Sequence, residues 1–201
     1  MHATRTLPDG FALGGTLSAR GNARVQRILS LLALPWGIGS TAVLVQLAAL
    51  VRPANWTTGV PPGTPTALYA GLLITPVVAL LAHRAVHVAA LWWITGARPV
   101  VRRHGWRVYV TAPGWYLPRP AFLAVIAAPL VILPLLGLPV VAVTPAGVVV
   151  LFGLIISAWS AIGDVYTMGV VVRIRGPLYV GDPDDARPDQ GHSWYVRQSR
   201  R

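Results

Sequence analysis

Long apolar runs separated by short polar segments set the organisation of this chain. No charged residue occurs from Ile28 to Val51. A helix of about 24 residues at ~1.5 Å each covers roughly 36 Å, enough to cross a hydrocarbon core with some tilt. A second apolar stretch, from about residue 66 to 95, follows the turn-rich Pro61-Pro62-Gly63-Thr64-Pro65 and is interrupted by His83, Arg84 and His87. A third runs from about 121 to 143 and a fourth from about 147 to 172, with Asp164 inside the fourth. The link between these last two is short enough to demand a helical hairpin. The pattern predicts an all-α membrane protein of four transmembrane helices.

Between spans two and three the periodicity changes. Trp106 to Thr111, then Ala112-Pro113-Gly114, then Trp115-Tyr116-Leu117 predict two short strands around a turn, a small β-hairpin at the cytoplasmic surface. Leu178-Tyr179-Val180 and Trp194-Tyr195-Val196 predict a second strand pair in the tail, around the acidic Asp182-Pro183-Asp184-Asp185, which reads as a solvated turn. The expected organisation is thus a cytoplasmic N-terminal segment (1–27), a four-span membrane domain (28–172) and a basic cytoplasmic tail (173–201).

Composition narrows the chemistry. Of 201 residues, 54% are hydrophobic and 11% charged, against a usual charged share of about 25%. All 17 basic residues are arginine, all six acidic residues are aspartate, and Lys, Glu and Cys do not occur. Disulfides, thiolate metal sites, cysteine nucleophiles, Schiff-base lysines and Walker lysines are therefore excluded. The net charge of +11 does not imply nucleic acid, because the arginines flank apolar segments instead of forming a soluble basic face. They imply a bilayer with anionic headgroups as partner, beside a membrane-protein or peptide partner. Arg5, Arg20, Arg24 and Arg27 precede span one, and Arg98, Arg102, Arg103, Arg107 and Arg119 lie between spans two and three. The loop from 52 to 65 holds only Arg52. The positive-inside rule therefore predicts a multi-pass protein of the cell membrane with both termini cytoplasmic. Arginine without lysine points to a GC-rich bacterial genome.

Ionisable residues inside a span are costly and mark function or mutual pairing. His83 and His87 stand at i, i+4, which puts both imidazoles on one helix face within reach of a single metal. Zinc takes three protein ligands at a catalytic site, and Asp164 is the carboxylate within the spans. His87 and Asp164 each lie eight residues from the cytoplasmic end of their span, about 12 Å, so they are level. Gly163 beside Asp164 permits close approach. Arg84 lies about 60° from His87 on the same helical face. It offers the alternative that an Arg84–Asp164 ion pair locks spans two and four without any metal.

His83-Arg84-Ala85-Val86-His87 keeps the frame of the zincin motif, in which a glutamate follows the first histidine as general base. With Leu7-Pro8-Asp9-Gly10, Ala127-Ala128-Pro129 and Gly163-Asp164, the chain resembles the bacterial putative zincin peptidases, a family related to site-2-type membrane proteases. The resemblance implies a zincin-like membrane domain with His83, His87 and Asp164 as ligands of a zinc cofactor. The glutamate does not carry over, because Arg84 stands at its position and a guanidinium cannot accept a proton at working pH. The expectation is a metallopeptidase-like pseudoenzyme without normal proteolytic activity. The alternatives are an active membrane zinc hydrolase with another base, such as Asp182, Asp184 or Asp185, and a non-enzymatic membrane protein held by the Arg84–Asp164 pair.

Overall fold

The structure, a computed structural model, describes residues 3–16, 23–52, 65–104, 107–144, 147–181 and 192–198. Its helices are α1 (Ala23–Val51), α2 (Pro65–Thr95), α3 (Arg119–Val143), α4 (Gly147–Ser160) and α5 (Ile162–Arg173). The strands are β1 (Phe11–Thr16), β2 (Val100–His104), β3 (Arg107–Thr111), β4 (Tyr116–Pro118), β5 (Leu178–Gly181) and β6 (Ser193–Arg197). Among the described residues three helices, α1, α2 and α3, are long and apolar enough to cross a membrane, and α4 with α5 makes a fourth span if that bent pair counts as one. Their outward faces carry bare apolar side chains, with Leu31, Leu50, Leu73 and Leu135 all exposed. Water would penalise such a surface, and lipid does not. Sealing every backbone N–H and C=O into a helix is also what makes a Val-rich run such as Val148-Val149-Val150 helical, against its intrinsic preference for strands.

The expected fourth span, 147–172, is two helices bent by 44° at Ala161. The cause is local. Ser160 Oγ donates to the Ser157 carbonyl at 2.7 Å, and the Ala161 amide turns back to the Ala158 carbonyl, tightening the last turn of α4. A new helix then starts at Ile162, which leaves Asp164 in its first turn.

The chain divides into two compact units, to both of which α1, α2, α3 and α5 contribute. One unit comprises Ser30–Val86 and Pro129–Gly163. Its packing centres on Leu44, Leu154 and Ala158, with Leu130, Leu133, Leu138, Leu151 and Ile155 against them. Polar tips of aromatic rings tie α1 to α4 here: Trp36 Nε1 donates to the Ala158 carbonyl at 2.8 Å, and Trp159 Nε1 donates to Thr41 Oγ1 at 2.9 Å. Gly37 makes room for the Trp159 indole, since a Cβ there would lie 2.5 Å from the ring.

The other unit comprises Met1–Leu29, His87–Ala128 and Asp164–Arg201. Leu91, Ala112, Leu117, Phe122, Val125, Val171, Leu178 and Val180 form its core. The chain is mostly helical as expected, but the strands go beyond the expected hairpins, because a four-stranded antiparallel sheet of order β1-β6-β5-β4 packs within this unit. The tail pair forms as expected, with Leu178 opposite Val196 and Val180 opposite Trp194. β1 from the N-terminal segment then adds to β6.

The expected hairpin of 106–111 with 115–117 does not form. β3 pairs with β2, and β4 pairs with β5. The turn between β3 and β4 is nonetheless present: the Trp115 amide donates to the Ala112 carbonyl at 3.1 Å, and Gly114 has φ 73°. Pro followed by a left-handed Gly is type II chemistry, and that turn splays the flanking strands, whereas tight two-residue hairpins need the mirror-image forms. β3 and β4 consequently seek different partners. Arg119, at the start of α3, donates through Nη2 to the carbonyls of Ile174 and Gly176. It thereby satisfies backbone at the exit of α5.

Candidate metal centre

The two histidines sit one turn apart on α2, and each is oriented through its Nδ1. His83 is buried, and its Nδ1 lies 2.9 Å from the hydroxyl of Ser157 on α4. His87 is half-buried, and its Nδ1 lies 3.0 Å from the carbonyl oxygen of Val125 on α3. A carbonyl can only accept, so His87 Nδ1 carries a proton and donates. The neutral ring then presents an unprotonated Nε2, and this atom faces Asp164 Oδ2 at 3.3 Å. Two acceptors meeting in this way require a proton or a cation between them: a second proton on the imidazole, a proton on the carboxyl group, or a metal ion.

The distance is compatible with a hydrogen bond and with a shared cation. Charge-assisted N–H···O bonds run at about 2.7–2.9 Å. Two ligands at ~2.0–2.1 Å from a tetrahedral zinc stand about 3.4 Å apart. The His87–Asp164 separation of 3.3 Å lies between these figures. His83, His87 and Asp164 each offer one ligand atom, and these atoms all lie within 4.8 Å of one another. The donor set, two imidazoles and one carboxylate, is that of a zinc site with an open fourth position. The Nδ1–H to carbonyl bond on His87 is the outer contact that usually fixes a metal-binding imidazole. These residues fit zinc.

Asp164 owes its place to the break at Ala161. As an acid in the first turn of α5, it sits at the positive end of that helix, where a carboxylate is favoured. Arg84 is exposed on α2. Asp182, Asp184 and Asp185, the alternative bases, lie outside the described residues.

Two contributors were not anticipated from the sequence. Ser157 stands seven residues before Asp164, two helical turns, and this spacing of small polar groups in an apolar run was the available signal. The Val125 carbonyl leaves no side-chain signature of its own.

No curated protein and no solved structure matches the chain. Residues 76–176 match the family model described as Putative zincin peptidase. That interval contains His83, His87, Val125, Ser157 and Asp164, every residue of the centre. With half of its length matched, the chain belongs to the putative zincin peptidases.

Proposed function

We propose that this protein is a multi-pass membrane zincin that binds zinc through His83, His87 and Asp164 but does not carry out normal peptide hydrolysis. The observation that carries the metal reading is the pairing of His87 Nε2 with Asp164 Oδ2 at 3.3 Å, while Nδ1 is committed to a backbone carbonyl. Zinc bound there would polarise a substrate carbonyl and lower the pKa of a coordinated water. Hydrolysis also needs a base within reach of that water. The residue after His83 is Arg84, which stays protonated, and the chain contains no glutamate. What remains is a site able to bind metal and a peptide carbonyl or carboxylate without turning it over. In this reading the arginine-rich ends and the segment between α2 and α3 face the cytoplasm and anionic headgroups.

A non-enzymatic reading draws on the same contact. A protonated His87 paired with Asp164 would tie α2 to α5 with no metal, in the role otherwise assigned to Arg84 with Asp164. Metal analysis separates these readings. Detergent-purified protein, prepared without chelator, should carry near-stoichiometric zinc by mass spectrometry, and His83→Ala and Asp164→Asn should each abolish it. The same protein should show no chelator-sensitive cleavage of membrane peptides. Absence of zinc from the parent protein overturns the metal reading, and chelator-sensitive cleavage overturns the pseudoenzyme reading.

A further inference from the structure

A helical carbonyl normally accepts from the amide four residues on, and for Val125 that residue is Pro129. Proline has no N–H, and its ring clashes with the carbonyl at i−4 and pushes it out of the ladder. The Val125 carbonyl is thus released, within a buried stretch: Val125 is 7% exposed and Pro129 is among the most fully buried side chains. A buried carbonyl without a donor is costly. The donor it meets is His87 Nδ1, at 3.0 Å. α3 contains two further prolines, Pro134 and Pro139, which release the carbonyls of Leu130 and Leu135 in the same way.

We propose that Pro129 is a positioning residue for the metal centre: by removing one helical hydrogen bond it aims the Val125 carbonyl at His87, fixes the proton on Nδ1 and so delivers Nε2 to Asp164. The inference extends the zinc-binding reading above, but its core, the proton position on His87, holds with or without metal. In the absence of Pro129 the Val125 carbonyl realigns with the helix axis and takes the amide at 129. His87 then loses the contact that selects between its two nitrogens.

The substitution Pro129→Ala separates positioning from structure, because the two roles predict opposite changes. Restoring a helical amide in an apolar environment favours the helix, so the thermal midpoint should hold or rise. Zinc affinity, measured by competition with a chromophoric chelator, should fall by about 10–100-fold, the usual effect of losing an outer-shell partner. Pro134→Ala and Pro139→Ala should leave zinc affinity unchanged. A second readout needs no metal. Imidazole nitrogen NMR of metal-free, histidine-labelled protein under alkaline conditions, assigned by difference with His87→Gln, should place the proton of His87 on Nδ1 in the parent and on a mixture of both nitrogens in Pro129→Ala. The proposal is overturned if the parent carries that proton on Nε2, or if Pro129→Ala keeps both the parent tautomer and the parent zinc affinity. Should the parent bind no zinc, the zinc reading falls while the tautomer measurement still decides the role of Pro129. Should Pro129→Ala not fold, Pro129→Val, which restores the same amide with a side chain that fills the space, is read in its place.

Discussion

His83 Nδ1 stands 2.9 Å from the Ser157 hydroxyl, so the buried imidazole of α2 is oriented by a side chain of α4. His87, one turn further along α2, is oriented by backbone. The two candidate ligands therefore depend on different neighbours, and substitutions can address them separately. Ser157→Ala should cost about 1–3 kcal/mol, because a ring nitrogen in an apolar surrounding loses a partner. Zinc affinity should fall by about 10–100-fold. Thermal unfolding in detergent and chelator competition would measure the two effects, and Ser157→Thr should retain most of both.

The missing base can be supplied. Arg84→Glu completes a His-Glu-x-x-His frame on α2, directly after His83. If zinc and water occupy the centre as the ligand geometry supports, general-base catalysis should raise peptide cleavage by about 100- to 10,000-fold over the parent. The gain should vanish with chelator and in the His83→Ala/Arg84→Glu double variant. Arg84→Gln should give no gain, since an amide cannot take the proton. Cleavage of a fluorogenic membrane peptide, followed by mass spectrometry of the products, measures it.

Gly37 tests the packing of α1. A methyl at this position would meet the Trp159 indole at 2.5 Å, and the indole is held by its bond to Thr41. Gly37→Ala should therefore destabilise by about 1–3 kcal/mol through overpacking. Gly39, two residues on, has nothing within 4 Å of its virtual Cβ. Gly39→Ala should be neutral or slightly stabilising. Thermal unfolding of the two variants in the same detergent provides the comparison.

Topology can be read directly, because the chain has no cysteine to remove. Single cysteines at Thr4 and Gln198 should react with membrane-impermeant maleimide only after the bilayer is permeabilised, whereas one at Thr57 should react in intact cells. The reverse labelling pattern would invert the orientation expected from the arginines. Thr4 and Gln198 should in any case behave alike. The Thr4 amide bonds to the Tyr116 carbonyl of β4, the Gln198 amide just after β6 bonds to the Gly10 carbonyl just before β1, and β4, β6 and β1 belong to one sheet.

The linear order of residues was sufficient for the apolar helices, for the shared face of His83 and His87, and for the identity of residue 84. Each of these is a local property: an uninterrupted apolar run forces internal hydrogen bonding, i, i+4 spacing puts His83 and His87 on one face, and an arginine at 84 cannot take a proton whatever surrounds it. The tail strands Leu178–Val180 and Trp194–Val196 were legible for the same reason, their alternation being visible in the chain. The partners of β3 and β4 were not, because a Pro-Gly turn shows where the chain reverses and not which strand lies alongside. Tertiary structure also decided the break at Ala161, which rests on a serine hydroxyl competing for backbone, and the outer contacts of the two histidines. A backbone carbonyl such as that of Val125 exists at every position. Only the approach of α2 to α3 in space, at the one turn where Pro129 has withdrawn the competing amide, makes it a determinant of which nitrogen His87 presents.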